Sequence, residues 1–284
     1  MDQSPLISPD ELAELMHGGP GSAPLILDVR WSADSDNGWE EYLQGHLPGA
    51  IYVDLEHDLA GVPEESGRGG RHPMPAPDDF ELDLAGCGVD NGRRIVVYDD
   101  QSGLAAARCW WLLRHFGKVD VCVLDGGLQA WRAHRLPVES GERNIEEGDF
   151  SLGRGIGLVL EADQAALYAS EGVLIDARSP ERFRGENDPM DAVLGHIPGA
   201  VNVPGRSLIT SEGVLLPVED LLQIFTEAGV DGSCPVAVYC GSGISSGLVA
   251  LALAVADIDD EPALYVGSWS DWISDRHRPV AAGG

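Results

Sequence analysis

A cysteine, Cys240, stands between a short β-branched run and a glycine-rich turn in the second half of the chain. The run Val236–Tyr239 precedes it, and the residues after it are Gly-Ser-Gly-Ile-Ser-Ser-Gly, followed by a long apolar stretch. This order predicts a cysteine at the carboxyl end of a parallel strand, facing main-chain amides and the amino end of a helix. Both features favour a thiolate over a thiol, so the pattern indicates a nucleophile.

Position 246 helps to decide which thiolate chemistry is available. Cysteine-dependent phosphatases hold the oxyanion with an arginine six residues after the nucleophile, and Ser246 stands there instead, which disfavours phosphoryl transfer. The chain has five cysteines and no CxxC pair, so dithiol exchange within one motif is also excluded. A lone thiolate among amides suits a persulfide, because N–H groups can solvate the terminal sulfur. A turnover enzyme, a sulfur carrier, an oxidation-sensing thiol and an inert buried cysteine all stay open on these residues alone.

The chain contains one ordered pattern twice, which sets the domain count. LILDVR from 25 matches LIDAR from 174, GHLPGA from 45 matches GHIPGA from 195, and RIVVYD ending at 99 matches PVAVYC ending at 240. Asp99 therefore stands where the second copy has Cys240, and a carboxylate cannot be that nucleophile. We expect a catalytically inactive N-terminal domain at 1–142, a linker at 143–157 and a catalytic domain at 158–284.

Short β-branched runs alternate with helical patterns in both copies, which is typical of strand–helix units on a mainly parallel sheet flanked by helices. The runs are LILDV, IVVY and VCVL in the first copy and VLIDA, VAVYC and ALYV in the second. Ser8 and Glu11 form a predicted capping box at the start of the first helix. A Pro/Gly-rich loop at 61–77 makes the first copy longer. The predicted fold class is α/β.

Composition excludes several classes of function. With 18 basic and 47 acidic residues in 284, the formal charge of −29 disfavours binding to nucleic acids and to anionic membrane surfaces. No run approaches the ~18 apolar residues of a membrane span, and the cysteine usage fits reduced thiols, so we expect a cytoplasmic protein. The single lysine, Lys118, lacks a P-loop context, and the histidines and cysteines show no zinc spacing. We therefore expect neither a cofactor nor a metal.

The tandem copies, the GHxPGA turns, the CGSG loop and the GSWSDW run from Gly267 together resemble the two-domain rhodanese-like sulfurtransferases, which use thiosulfate or 3-mercaptopyruvate. The resemblance extends from about Ser8 to Pro279. It implies two tandem rhodanese-like domains and a cysteine in the second that takes a sulfane sulfur from a small-molecule donor. The acceptor would be cyanide, a thiol or thioredoxin. Cys240 occupies the position of that cysteine.

The resemblance also implies roles for other residues. Ser242 would serve as a hydrogen-bond donor or proton relay beside the thiolate, or would stabilise the loop as an ST-turn. Arg182, in the motif RFRG, would bind the carboxylate or sulfonate of the donor, whereas Arg184 would face solvent. The loop residues expected to offer amides to the persulfide are Gly241, Gly243, Ile244 and Ser245.

Two residues of the first copy complete the expected site. His72 matches a histidine that lies across the domain interface from the thiolate in mercaptopyruvate enzymes. Glu56 stands where an aspartate is more usual, and a Glu–His–Ser relay would help to move a proton. A structural role is expected for residues that have a counterpart in the other copy, namely Arg178, His46 and His196.

The residues after the cysteine favour one donor. Enzymes dedicated to thiosulfate carry basic residues directly after the cysteine, and here Gly241 and Ser242 are neutral. We therefore expect 3-mercaptopyruvate as donor, with thiosulfate as the alternative. The mercaptopyruvate group commonly has a second arginine shortly after RFRG, but residues 186–191 of this chain are ENDPMD, which leaves the expected carboxylate clamp incomplete.

Overall fold

The computed structural model describes residues 4–18, 23–100 and 102–284. The strands of this part are β1 (Leu6–Ile7), β2 (Leu25–Asp28), β3 (Ile51–Tyr52), β4 (Ile95–Tyr98), β5 (Val121–Leu124), β6 (Val173–Asp176), β7 (Val201–Asn202), β8 (Val236–Tyr239) and β9 (Ala263–Leu264). The helices are α1 (Pro9–Met16), α2 (Gly38–Gln44), α3 (Leu55–Asp58), α4 (Pro77–Gly86), α5 (Leu104–His115), α6 (Gly127–Ala133), α7 (Ala162–Glu171), α8 (Pro180–Arg184), α9 (Val218–Glu227), α10 (Ser245–Val255) and α11 (Ser268–Trp272), with a 3-10 turn at Gly205–Leu208.

The first sheet has five parallel strands in the order β1-β5-β4-β2-β3. Its central strands pair in register, with Leu27 opposite Val97 and Val97 opposite Val123. All four residues of β2, β4 and β5 are buried, because helices cover both faces of a parallel sheet. Helix α1 begins with the predicted capping box, in which the Ser8 side chain accepts the Glu11 amide.

The second sheet has four parallel strands in the order β7-β6-β8-β9. A parallel bridge between Val159 and Leu264 stands beside β9, at the edge where the first sheet has β1. Strand β8 lies between β6 and β9 and is buried throughout. Helix α10 follows it, and its residues from Ser246 to Leu253 are all buried, as expected of a helix that is apolar on nearly every side.

Contacts group the chain into two compact units, each of which takes in one segment from the other half of the sequence. The first unit comprises residues 1–60, 75–156 and 209–215, and the second comprises 61–74, 157–208 and 216–284. The stretch predicted as a linker follows the surface of the first unit, where the Gly148 amide donates to Ala85 and the Gly153 amide to Phe116. The domain boundaries drawn from the sequence stay a prediction.

The two parallel sheets with flanking helices confirm the α/β class and the tandem architecture expected from the repeat. Among the helices of the described residues, none combines the length and the apolar character that crossing a bilayer requires.

Candidate active site

Cys240 directly follows β8, and its side chain is enclosed by the loop that leads into α10. The residue is 1% exposed. The Gly243 amide donates to its Sγ at 3.1 Å, and the hydroxyls of Ser246 and Ser268 lie 3.9 and 3.8 Å from the sulfur. Gly243 has a φ of +91°, a conformation that favours glycine, and this turns its N–H toward the thiol. The Gly243 amide is therefore a donor of the kind that stabilises negative charge on the sulfur.

Helix α11 holds the main chain of Cys240 and of the residue that follows it. The amides of Trp269 and Ser270 donate to the carbonyls of Cys240 and Gly241, each at 3.0 Å. The Ser268 hydroxyl accepts the Cys240 amide at 3.1 Å and donates to the Tyr265 carbonyl at 3.0 Å. The GSWSDW run therefore belongs to the site because it anchors the cysteine's backbone.

Arg182 lies on α8, a short helix that begins with Pro180 and ends at Arg184, and the next residue, Gly185, closes it with a φ of +73°. The Nε of Arg182 donates to Asp188 at 2.8 Å, and its Nη2 donates to Asp191 at 2.7 Å. Both carboxylates are almost fully buried, with side chains 0% and 2% exposed, while the arginine side chain is 20% exposed. The two aspartates therefore hold a guanidinium that a solute can still reach.

Arg182 also lies beside the catalytic loop. A Cβ placed on Gly241 would come within 2.9 Å of Arg182 Nη2 and 3.4 Å of Arg71 Nη2. Two guanidinium groups thus approach the residue that directly follows Cys240. The absence of a side chain at Gly241 is what makes room for them.

His72 lies in the segment 61–74 that groups with the second unit, and it is buried. Its Nδ1 is 3.3 Å from the main-chain carbonyl of Ser242, which is consistent with the Nδ1–H tautomer donating to that oxygen. Glu56, in the first unit, accepts a hydrogen bond from Trp31 Nε1 at 2.7 Å. Glu56 and Trp31 line a cavity of about 420 Å³ in that unit.

The remaining loop residues expected to bind the substrate surround the cysteine in sequence and in space. Gly241, Gly243 and Ile244 are buried, and Ser245, half-buried, is the first residue of α10. Ser242 is half-buried. Arg184, expected to face solvent, forms an ion pair with Glu186 at 2.8 Å near the surface.

Asp99 occupies in the first unit the place that Cys240 holds in the second. Its carboxylate accepts the amides of Gly103, Ala105 and Ala106 at 2.9 to 3.3 Å, and it is 3% exposed. Burial raises the pKa of this carboxyl, and the amides act in the opposite direction. The amides of α6 donate to residues 99 and 100 just as those of α11 donate to 240 and 241. The two copies therefore share not only their sequence motifs but also the hydrogen bonds at the loop that follows the strand.

The residues that recur in both copies make the same contacts in each unit. Tyr239 Oη donates to Asp176 at 2.6 Å, and Arg178 Nη2 donates to the Gly195 carbonyl at 2.7 Å. The corresponding residues of the first unit, Asp28, Arg30, Gly45 and Tyr98, repeat this arrangement. His46 and His196 each bond a nearby main-chain carbonyl, of Tyr42 and Phe183. A structural role for these residues stays a prediction of the repeat.

Several residues of the site escaped the sequence analysis. Asp188 and Asp191 were noted only because no arginine stands there, although they are the groups that hold Arg182. Ser268 lies in the GSWSDW run and Arg71 in the Pro/Gly-rich loop at 61–77, and the sequence assigned a role to neither. The GSWSDW run was the available signal for Ser268, whereas no local pattern marks Asp188, Asp191 or Arg71. Among the described residues, no cluster of three or more His, Cys, Asp or Glu could hold a metal ion.

Comparison with known proteins identifies the class. The Rhodanese-like domain family matches residues 8–134 and 161–275, so two matches cover most of the chain. The structure agrees with that match, because a cysteine follows an inner strand of a parallel sheet and its sulfur faces the loop. The chain belongs to this family and is a two-domain rhodanese-like sulfurtransferase, as the resemblance predicted.

Individual relatives span nearly the whole chain. A probable 3-mercaptopyruvate sulfurtransferase of Pseudomonas aeruginosa is 44% identical, covering 91% of this chain and 92% of its own. A putative thiosulfate sulfurtransferase, SseB, of Mycobacterium tuberculosis is 43% identical, covering 98% and 97%. The crystal structure of SseA from Escherichia coli, described as a 3-mercaptopyruvate sulfotransferase, superimposes with a TM-score of 0.82 at 34% identity, over 94% of this chain and 99% of that one. The protein is therefore an enzyme with a small-molecule sulfur donor and acceptor.

Proposed function

We propose that Cys240 carries the transferred sulfur as a persulfide and that 3-mercaptopyruvate is the donor. The observation that carries this proposal is the enclosed Sγ, which accepts the Gly243 amide and lies near two serine hydroxyls. A main-chain amide that stabilises a thiolate also suits the terminal sulfur of a persulfide. The first unit has Asp99 at this position and serves as a non-catalytic domain.

The reaction proceeds in two half-reactions of a ping-pong scheme. The Cys240 thiolate attacks the donor sulfur, the new S–S bond forms, and the C–S bond breaks. Its electron pair goes to carbon as the enolate of pyruvate, which takes up the proton that the donor thiol gives up. A cyanide ion then attacks the outer sulfur of the persulfide, which releases thiocyanate and restores the thiolate. A thiol or thioredoxin replaces cyanide as a physiological acceptor.

The neighbouring residues support the choice of donor. Gly241 and Ser242 add no positive charge directly after the cysteine, whereas Arg182 offers a guanidinium beside Gly241. A guanidinium binds a carboxylate through paired N–H groups, so Arg182 binds the donor's carboxylate in this proposal. Thiosulfate is the second candidate, since a relative of 43% identity carries that name.

A proton must reach the carbon of the leaving enolate. In our proposal Ser242 relays it, and His72, held at the Ser242 carbonyl, positions that loop and receives the proton from the donor thiol. A part for Glu56 in the proton transfer stays a prediction of the resemblance. Gly243, Ile244 and Ser245 offer their amides to the persulfide together with Gly241. The cytoplasmic location stays a prediction from the cysteine usage.

Steady-state assays with two serine variants test the proposed function. Cys240→Ser should abolish thiocyanate and pyruvate formation from 3-mercaptopyruvate and cyanide, while Cys234→Ser, which replaces an exposed cysteine of the same unit, should retain full activity. The assay is repeated with thiosulfate. Full activity of Cys240→Ser would refute the nucleophile, and a much higher kcat/KM with thiosulfate than with 3-mercaptopyruvate would reverse the choice of donor.

A further inference from the structure

We propose that Arg178 is a positioning residue for sulfur transfer, which holds the loop at residues 188–193 and, through that loop, Arg182. This inference rests on the proposed function of Arg182 and deepens it, because it gives a part in catalysis to a residue that the repeat marks only as structural. The Arg178 side chain is 1% exposed. It therefore acts on neighbouring side chains and not on the donor itself.

The guanidinium of Arg178 joins the end of strand β6 to the loop. Its Nε and Nη2 donate to Asp176, the last residue of β6, and Nη2 also donates to the Gly195 carbonyl at 2.7 Å. The third nitrogen, Nη1, is buried and has no hydrogen-bond partner among the described residues. It lies 3.5 Å from Asp188 Oδ2, and because both side chains are buried, their opposite charges are poorly screened. This attraction holds Asp188 close to the sheet.

Asp188 passes this position on to Arg182. The oxygen that faces Arg178, Oδ2, also accepts Arg182 Nε at 2.8 Å. The other oxygen, Oδ1, accepts the amides of Met190 and Asp191 at 3.0 and 3.1 Å. The Asp191 carboxylate in turn accepts Arg182 Nη2 at 2.7 Å. The position of Asp188 therefore determines where both carboxylates that hold Arg182 lie.

Trp269 holds the other end of the same loop. The guanidinium carbon of Arg178 lies 4.5 Å from the centre of the Trp269 ring, which is a cation–π contact. Trp269 Nε1 donates to the Val193 carbonyl at 3.1 Å, so the stacked pair fixes residues 188–193 at both ends. The Trp269 amide donates to the Cys240 carbonyl at 3.0 Å. The pair therefore connects the loop to the main chain of the nucleophile.

The first copy contains the same arginine with different neighbours. Arg30 donates to Asp28 and to a main-chain carbonyl, as its counterpart Arg178 does. Among the described residues, Asp28 is the carboxylate that forms an ion pair with Arg30. Where the second copy has Trp269, the first has Leu128, which offers neither an aromatic face nor an N–H donor. The additional contacts belong to the copy that carries the nucleophile, which indicates a role in its chemistry.

Conservative substitutions of the two matched arginines test this role. Arg178→Lys keeps a positive charge near Asp176 but cannot also reach Asp188, since lysine has one ammonium group in place of a fork. It should raise the KM for 3-mercaptopyruvate about tenfold with kcat little changed, because Arg182 is then held by a displaced loop. Arg30→Lys is the matched control. It should lower the melting temperature by a similar amount and leave KM unchanged.

Asp188→Asn tests the connection from Arg178 to Arg182. The variant keeps an oxygen for Arg182 Nε but removes the charge that attracts Arg178, so it should reproduce the higher KM. Arg178→Lys and Asp188→Asn combined should raise KM little further than either alone, because both interrupt the same contact. A wild-type KM for Asp188→Asn would overturn the inference, even if Arg178→Lys failed to fold.

Alkylation of Cys240 gives a readout that needs no sulfur donor. The rate with anionic iodoacetate is divided by the rate with neutral iodoacetamide, each followed by the mass of the Cys240 peptide. Arg178→Lys should lower this ratio several-fold, and Arg30→Lys should not. If wild-type protein turned over no donor, the proposed function would fail while the ratio still tested Arg178. The inference is overturned if Arg178→Lys matches Arg30→Lys in both KM and ratio, or if it lowers kcat alone.

Discussion

At the scale of single residues, the site depends on carboxylates that hold positive charges in place. Asp191 joins Arg182 to Arg71, and Asp188 contacts Arg182 and lies 3.5 Å from Arg178 Nη1. The sequence predicted Cys240 and Arg182 because each stands in a short ordered motif. It did not predict the aspartates, since a charge partner is chosen by loops that meet only in the folded chain.

Asp58 gives a residue-scale prediction outside the site. Burial, with a smaller effect from the neighbouring carboxylates of Asp83 and Asp54, raises the pKa of Asp58 to about 6. The folded state then holds the proton more tightly than the unfolded state, so the charged group destabilises the fold as pH rises from about 4 to about 6. Asp58→Asn should therefore increase the free energy of unfolding by about 1 to 3 kcal/mol at pH 7.5 and by little near pH 4.

Chemical denaturation between pH 4 and pH 8 measures this difference. Asp34→Asn is the control, because that side chain is exposed in a loop of the same unit. A stability gain for Asp58→Asn that is equal at every pH would show that titration of Asp58 is not its cause.

At the scale of elements, the same hydrogen-bonding arrangement between a helix and the end of a strand occurs in both units. The amino ends of α6 and α11 donate amides to the two carbonyls that follow the central strand, at Asp99 in one unit and Cys240 in the other. The sequence predicted the strands and the capping box from local patterns, because their signals lie within a few residues. It could not predict the φ of +57° at Ser268 or the hydrogen bond that its hydroxyl accepts from the Cys240 amide, because the two residues are 28 positions apart in the sequence.

Asp99 provides the element-scale prediction. Asp99→Ala should destabilise the protein by about 1 to 3 kcal/mol, because the amides of Gly103, Ala105 and Ala106 lose their acceptor in a buried loop. Asp99→Asn keeps one acceptor oxygen and should cost less. Sulfur transfer should be unaffected in both variants.

The urea midpoint and the sulfurtransferase rate are measured for each variant. Asp100→Ala, at the next and less buried position, is the control. An Asp99→Ala protein as stable as Asp100→Ala would mean that the carboxylate does not support the loop. A loss of kcat without a loss of stability would mean that the Asp99 loop takes part in the chemistry.

At the scale of the whole molecule, the repeat predicted two parallel-sheet units correctly, since the same order of motifs occurs twice. It did not predict that residues 61–74 group with the second unit and 209–215 with the first. The signal for such an exchange lies in non-local contacts such as Gly69 to Asp271, which no local pattern encodes. The two arginines near Gly241 are paired with two buried aspartates, in a chain of net charge −29.

The most direct test of the account is the mass of the Cys240 peptide after exposure to 3-mercaptopyruvate without an acceptor. We expect one added sulfur atom on Cys240, none on the exposed Cys234, and its removal by cyanide with an equal amount of thiocyanate. The Cys240→Ser protein should gain no sulfur. Thiocyanate formed by a protein whose Cys240 never carries the extra atom would contradict the account.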